Sequence, residues 1–211
     1  MSAKNLLNYL LFGIILSIPL QGSPFAQFSS PKTSKNINKN SWKSYSYEKN
    51  GFSIELPEKP EHVEQSITIP KTDLQITYDT YLSEPSDSSV YVISVWKYPP
   101  EIDMSSPEIN LKDGFSGMLS ALPGSKVLNM NMGTLQGYNT LEFLVQNEDI
   151  YFQGKLILVH NTLYQVFTVY KNSSENMTDN YVQFIDSFKL LSPEKNNTYP
   201  TNSKKKNSVH F

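Results

Sequence analysis

Chemistry in a chain like this one would have to come from few places. The three histidines are His62, His160 and His210. No two of them stand four residues apart, the spacing that puts two metal ligands on one helical face. His62 opens an edge-like strand, His160 sits beside a hairpin turn and His210 lies near the C-terminal end, so each is read as a solvated imidazole. Glu148 and Asp149 are neighbouring carboxylates in a turn between two strands, where solvation again prevails over acid–base pairing. Gly114-Phe115-Ser116-Gly117 superficially resembles a nucleophile motif, but the strand-to-helix elbow G-x-S-x-G is not met and the segment falls inside an amphipathic helix. Neither G-x-x-x-x-G-K-[ST] nor G-x-G-x-x-G occurs. The sequence therefore assigns no catalytic, cofactor-binding or metal-binding residue, and predicts a non-enzyme without a cofactor. Tyr138, Tyr151, Tyr164 and Tyr170 fall on strands. They would suit a stacking surface for a sugar or other flat ligand, but cross-strand aromatic packing is the reading that prevails.

Composition narrows the classes further. A chain of 211 residues suits one domain with a sizeable core. Hydrophobic residues make up 38% and aromatic residues 12%, so large rings supply much of what can be buried. The net charge of −2 gives no field of one sign that would draw in nucleic acid. Arg is absent, which removes the bidentate fork suited to phosphate, carboxylate or guanine. Cys is absent too, so neither a disulfide nor a thiolate site is possible.

The elements that position these residues can be read in order. Residues 1–26 form a signal peptide: Lys4, then the apolar run Leu6–Leu20, then the small and polar residues Gln21–Ala26. The run falls short of the length of a spanning helix, which favours cleavage within residues 22–26 and export to a periplasmic or external space; an uncleaved anchor is the alternative. Membrane contact is expected only through this segment. Residues 27–40 are a polar linker, 41–192 the folded domain, and 193–211 a polar tail carrying Lys204-Lys205-Lys206. Asn172, Asn176 and Asn196 match the glycosylation pattern and matter only in a glycosylating host.

Within the domain, Asn50-Gly51 marks a hairpin between Ser44–Glu48 and Phe52–Leu56. His62–Ile69 and Leu74–Leu82 form a second pair. In it Leu74, Ile76, Tyr78 and Leu82 share one face, and Gln75, Thr77 and Asp79 the other. Val90–Tyr98 is apolar on both faces and is placed centrally. Ser106 and Pro107 open a helix whose stripe is Leu111, Phe115, Met118, Leu119 and Leu122. Lys126–Met132 and Tyr138–Gln146 pair around Gly133–Gly137. Ile150–His160 and Leu163–Lys171 form the best-specified hairpin. With a turn at Asn161-Thr162, Leu156 lies beside Phe167 and Gly154 beside Val169 on one face. Ile157 beside Val166 and Val159 beside Tyr164 lie on the other. Thr178 caps a last helix with Tyr181, Val182, Ile185 and Phe188 on one face.

Three stretches carry a family resemblance: Phe52-Ser53-Ile54-Glu55-Leu56-Pro57, Leu163-Tyr164-Gln165-Val166 after a turn, and Phe184-Ile185-Asp186-Ser187-Phe188-Lys189. With these the chain resembles the PsbP-like superfamily over roughly Trp42–Leu191. The resemblance implies an α+β fold, an antiparallel meander flanked by two helices as an α/β/α sandwich, and it supplies no catalytic motif. It implies a binding or assembly role, and a shared fold does not fix function. The expectation is an exported, non-catalytic protein that binds a protein partner or aids an envelope assembly. The alternative is a carrier of a small apolar ligand held between sheet and helices.

Overall fold

The computed structural model describes residues 42–69, 72–85, 89–171 and 177–191. The expected signal peptide, linker and tail, and the three glycosylation sites, lie outside the described residues. So do His210 and the lysine run.

The strands are β1 (Lys43–Tyr47), β2 (Phe52–Leu56), β3 (Glu61–Thr68), β4 (Gln75–Ser83) and β5 (Val90–Lys97). Helix α1 (Pro107–Ser120) follows, then β6 (Lys126–Leu135), β7 (Tyr138–Asn147), β8 (Ile150–Val159) and β9 (Thr162–Lys171). Helix α2 (Met177–Ser187) and the short β10 (Lys189–Leu190) close the described chain. The α+β class is as expected.

Seven strands form one antiparallel sheet in the order β3-β4-β5-β9-β8-β7-β6. The order follows from chain path. After β5 the chain crosses as α1 and lands at the far edge, then meanders back until β9 pairs with β5. Val90–Lys97 is thus interior, and its residues Tyr91, Val92, Ile93 and Val95 are fully buried.

One face of this sheet takes α1. Leu111, Phe115 and Met118 insert among Tyr78, Val92, Trp96, Leu141, Phe143, Leu156 and Phe167. Ser106 makes no side-chain cap; its carbonyl accepts the Asn110 amide at 3.0 Å. The other face is covered by a second sheet, of order β1-β2-β10, and by α2. Phe52, Ile54, Leu56, Phe184, Ile185 and Phe188 pack there on Tyr91, Ile93, Tyr164 and Val166. Phe184 is fully buried and Val182 is exposed, so the inward stripe of α2 differs from the expected one by this exchange. The Ser187 hydroxyl accepts the Glu55 amide at 2.9 Å and donates to the Phe184 carbonyl at 2.7 Å, fixing the end of α2 on β2.

The β8–β9 hairpin keeps the expected faces and changes the expected partners. Leu156 stands opposite Gln165, Gly154 opposite Phe167, Ile157 opposite Tyr164 and Val159 opposite Thr162. The turn is His160-Asn161, with His160 at φ 52°, one residue earlier than Asn161-Thr162. Moving a two-residue turn by one position shifts partners by two, and a shift of two preserves which side chains are buried. Gly154 is demanded by close approach: a Cβ there would lie 2.2 Å from the Val166 carbonyl oxygen.

Candidate functional site

Two places among the described residues gather functional groups. The first is a polar network beneath the β1–β2 turn. Alternation along β4 puts Asp79 opposite the core residues Ile76, Tyr78 and Leu82, as the sequence implies. That face is not solvent, however, because the small sheet lies over it, and the Asp79 side chain is only 3% exposed. Its carboxylate can only accept. The His62 imidazole donates from Nε2 at 2.7 Å, and the Lys97 ammonium stands 3.8 Å from the other oxygen. His62 also stacks on Tyr81, with ring centroids 4.4 Å apart and planes within 9°. His62 is therefore half held in the network, where a fully solvated ring was expected.

The turn reaches down into the same network. Asn50 is buried, and its amide donates to the Tyr81 hydroxyl at 2.7 Å. Lys97 donates to the Asn50 side-chain oxygen, and the Tyr164 hydroxyl donates to the Asn50 carbonyl at 2.9 Å. Gly51 follows at φ 67°, a left-handed conformation that glycine adopts at no steric cost. At the rim, Lys49 pairs with Glu64 at 2.9 Å, both largely exposed. Burial, with the Tyr81 and Tyr45 hydroxyls nearby, pushes the Tyr47 phenol up to about 12. Burial likewise raises Tyr81, against the lowering effect of its bond from Asn50. A His–Asp pair is chemically suggestive, yet here each partner is tied to the others, and the arrangement serves to clamp two sheets together.

The remaining sequence candidates stand apart from this network. The Ser116 hydroxyl donates to the Lys112 carbonyl within α1. Asp149 pairs with Lys171 at 3.0 Å, a hydrogen bond that lowers its carboxyl below the usual range, while Glu148 shapes the turn at φ 54°. These neighbours form no dyad. Tyr151 stacks on its cross-strand partner Tyr170 at 5.6 Å, and Tyr170 donates to Gln153 at 2.8 Å. Tyr164 is buried; Tyr138 meets the His160 ring edge-on at 5.8 Å. Tyr138 and His160, with Met104, Pro107, Gly137, Asn139 and Leu158, line a shallow groove of about 220 Å³. Among the described residues no three His, Cys, Asp or Glu side chains come together as a metal site. No helix among them is long and apolar enough to cross a membrane.

The second place is β6, which sequence reading took as an ordinary strand. It forms one edge of the large sheet, and its outer side is paired with nothing among the described residues. From Lys126 to Thr134 every residue is exposed, including Val127, Leu128, Met130 and Met132 at 38–49%. Met130 stands opposite Phe143 and Met132 opposite Leu141, so both lie on the α1 face. No charged residue occurs from Val127 to Gly137. The opposite edge, β3, carries Glu61, His62 and Glu64. Charges on an edge strand discourage pairing with another chain; an uncharged apolar edge invites it. The absence of charge was visible in the sequence, but edge position was not, because the α1 crossover decides it.

No family model and no curated protein matches this chain. Among solved structures, it is similar to the solution structure of cyanobacterial PsbP (CyanoP) from Synechocystis sp. PCC 6803. That match has 12% identity and a TM-score of 0.49, over 76% of this chain and 98% of the other. It is also similar to the crystal structure of a protein of unknown function from Pseudomonas aeruginosa, described as a putative regulator. There the identity is 9% and the TM-score 0.30, over 62% and 83% of the two chains.

Proposed function

We propose that this chain is an exported, non-catalytic protein that binds a protein partner by strand addition along β6, as a binding or assembly factor. The observation that carries the reading is the contrast between the two edges of one sheet. β3 presents charge, whereas β6 is a ten-residue strand whose outer side has no partner among the described residues and which carries four exposed apolar side chains. An extended segment added there gains main-chain hydrogen bonds and covers Met130 and Met132. The non-catalytic part of the reading is supported by the Asp79 network, whose acid–base groups bond to one another under the turn. The export part rests on the N-terminal sequence alone. A carrier of an apolar ligand stands second, because the space between α1 and the sheet is filled by Leu111, Phe115 and Met118.

Site-specific photo-crosslinking in the native host tests the reading. A photoreactive residue at Met132 should give a protein adduct, and one at Ser66 on the charged edge should not. Adducts from neither position, or equally from both, contradict a docking role for β6.

A further inference from the structure

The edge also indicates what docks there. Resting on the reading of β6 as a docking edge, we propose that its occupant is β6 of a second copy of this chain. The two strands pair antiparallel about a two-fold axis at Asn131 and join two seven-stranded sheets into one.

The backbone sets which residues can pair. The turn Gln136-Gly137 has two residues, both at positive φ, and closes on Leu135 opposite Tyr138. Such a turn ends in a hydrogen-bonded pair, and hydrogen-bonded pairs alternate along an antiparallel ladder. Gly133, Asn131 and Asn129 then direct their backbone groups to β7, and Thr134, Met132 and Met130 direct theirs outward. Outward groups of one copy must meet outward groups of the other. An axis at Asn131 satisfies this by placing Met130 opposite Met132 of the copy, and Met132 opposite Met130.

The side chains fit the same register. On the α1 face, four methionines from the two copies come together, and thioethers pack adaptably on one another. On the other face, Asn131 meets itself. An amide carries both donors and an acceptor, so two identical Asn side chains can bond each other, which two identical charges cannot do. Asn131 and Asn129 already share a hydrogen bond at 3.1 Å along the strand, which shows that both amides lie on this face. A window without charge from Val127 to Gly137 removes the like-charge contact that a two-fold axis would otherwise create. The register shift between Val127 and Asn129 ends the regular ladder near Leu128, so pairing spans Leu128 to Thr134.

One other occupant has a claim by location. Gln136 exchanges two hydrogen bonds with the backbone of Leu190, at 3.1 and 2.8 Å, so the described chain ends beside the turn that follows β6. Residues 192–211 leave from there, and are long enough to run back along the ten residues of β6. They are polar and contain Pro193 and Pro200, which offer little to Met130 and Met132 and lack amide donors.

The experiment is a charge exchange at the axis, read by sedimentation equilibrium of the purified chain over a wide concentration range. The unaltered chain should approach a dimer. Asn131→Lys and Asn131→Glu should each associate several-fold more weakly, because like charges then stand directly opposite. An equimolar mixture of the two should recover a dimer containing one of each. Asn131 is exposed, and unchanged melting of both variants in dilute solution, where every form is monomeric, confirms that the fold is intact. A monomer at every concentration overturns the proposal, as do variants that dimerise like the unaltered chain or a mixture that fails to recover. A dimer that forms only after deletion of residues 192–211 also overturns it, and names the tail as the occupant. The docking reading has its own fate: if the chain is monomeric yet Met132 crosslinks a different protein, self-pairing fails and docking stands. If Met132 crosslinks nothing, both fail.

Discussion

The Asn50 side chain donates to the Tyr81 hydroxyl at 2.7 Å, joining the turn of the small sheet to a strand of the large one across 31 residues of sequence. The same side chain accepts from Lys97, so one buried amide serves two partners. Asn50→Ala would leave both short of a bond, and the cost should be about 1–3 kcal/mol in chemical unfolding. Gly51→Ala should cost about 1–2 kcal/mol through its left-handed backbone alone. If both variants unfold at the wild-type denaturant midpoint, the turn does not clamp the sheets.

The β8–β9 register makes a ranking. Phe167 is fully buried, and Phe167→Ala should cost about 3–5 kcal/mol. Gly154→Ala, forced against the Val166 carbonyl, should cost about 1–3 kcal/mol although it only adds a methyl. His160→Ala, at the turn, should stay within about 0.5 kcal/mol. A harmless Gly154→Ala would refute the close approach, and a severe His160→Ala would reopen His160 as a functional residue.

Gln165 is fully buried, and neither of its amide atoms has a partner among the described residues. It faces the α1 side, opposite Leu156. Gln165→Met keeps the length and removes the unmet polar atoms, and should raise stability by about 1–3 kcal/mol. A loss of stability would instead show that the amide is bonded to internal water.

Alkaline pH should unfold this protein early. Burial raises the phenols of Tyr47, Tyr78, Tyr81, Tyr98, Tyr164, Tyr170 and Tyr181. The folded state thus keeps protons that the unfolded chain releases near pH 10. The stability this contributes is complete below pH 10 and is lost as pH rises toward the folded value, about 12 for Tyr47. Tyr47→Phe should flatten the fall in melting temperature between those limits. An unchanged slope would mean that Tyr47 titrates alike in both states.

Local structure was legible in local sequence signals. Asn50-Gly51 marked its hairpin, alternation placed Leu156, Phe167, Ile157 and Val166 on their correct faces, and the Leu111–Met118 stripe docked as expected. What failed was what depends on distant chain. Alternation put Asp79 on its correct face, but nothing local shows that β2 and β10, paired through Ser53 and Lys189, help form a sheet that covers it. The turn beside His160 was misplaced because a histidine takes the positive φ there, where glycine is the usual marker of such a turn. The openness of β6 was hidden for the same reason as Asp79: a crossover far from the strand makes it an edge.

Amide hydrogen exchange along β6 tests the account most directly. In dilute solution Met130 and Met132 should exchange almost as fast as in an unfolded chain, while Asn129 and Asn131, bonded to β7, stay protected. As concentration rises and the chain associates, Met130 and Met132 should become protected and the other two should change little. Protection of Met130 and Met132 already in the dilute monomer, or none gained on association, would contradict an open edge that takes a strand.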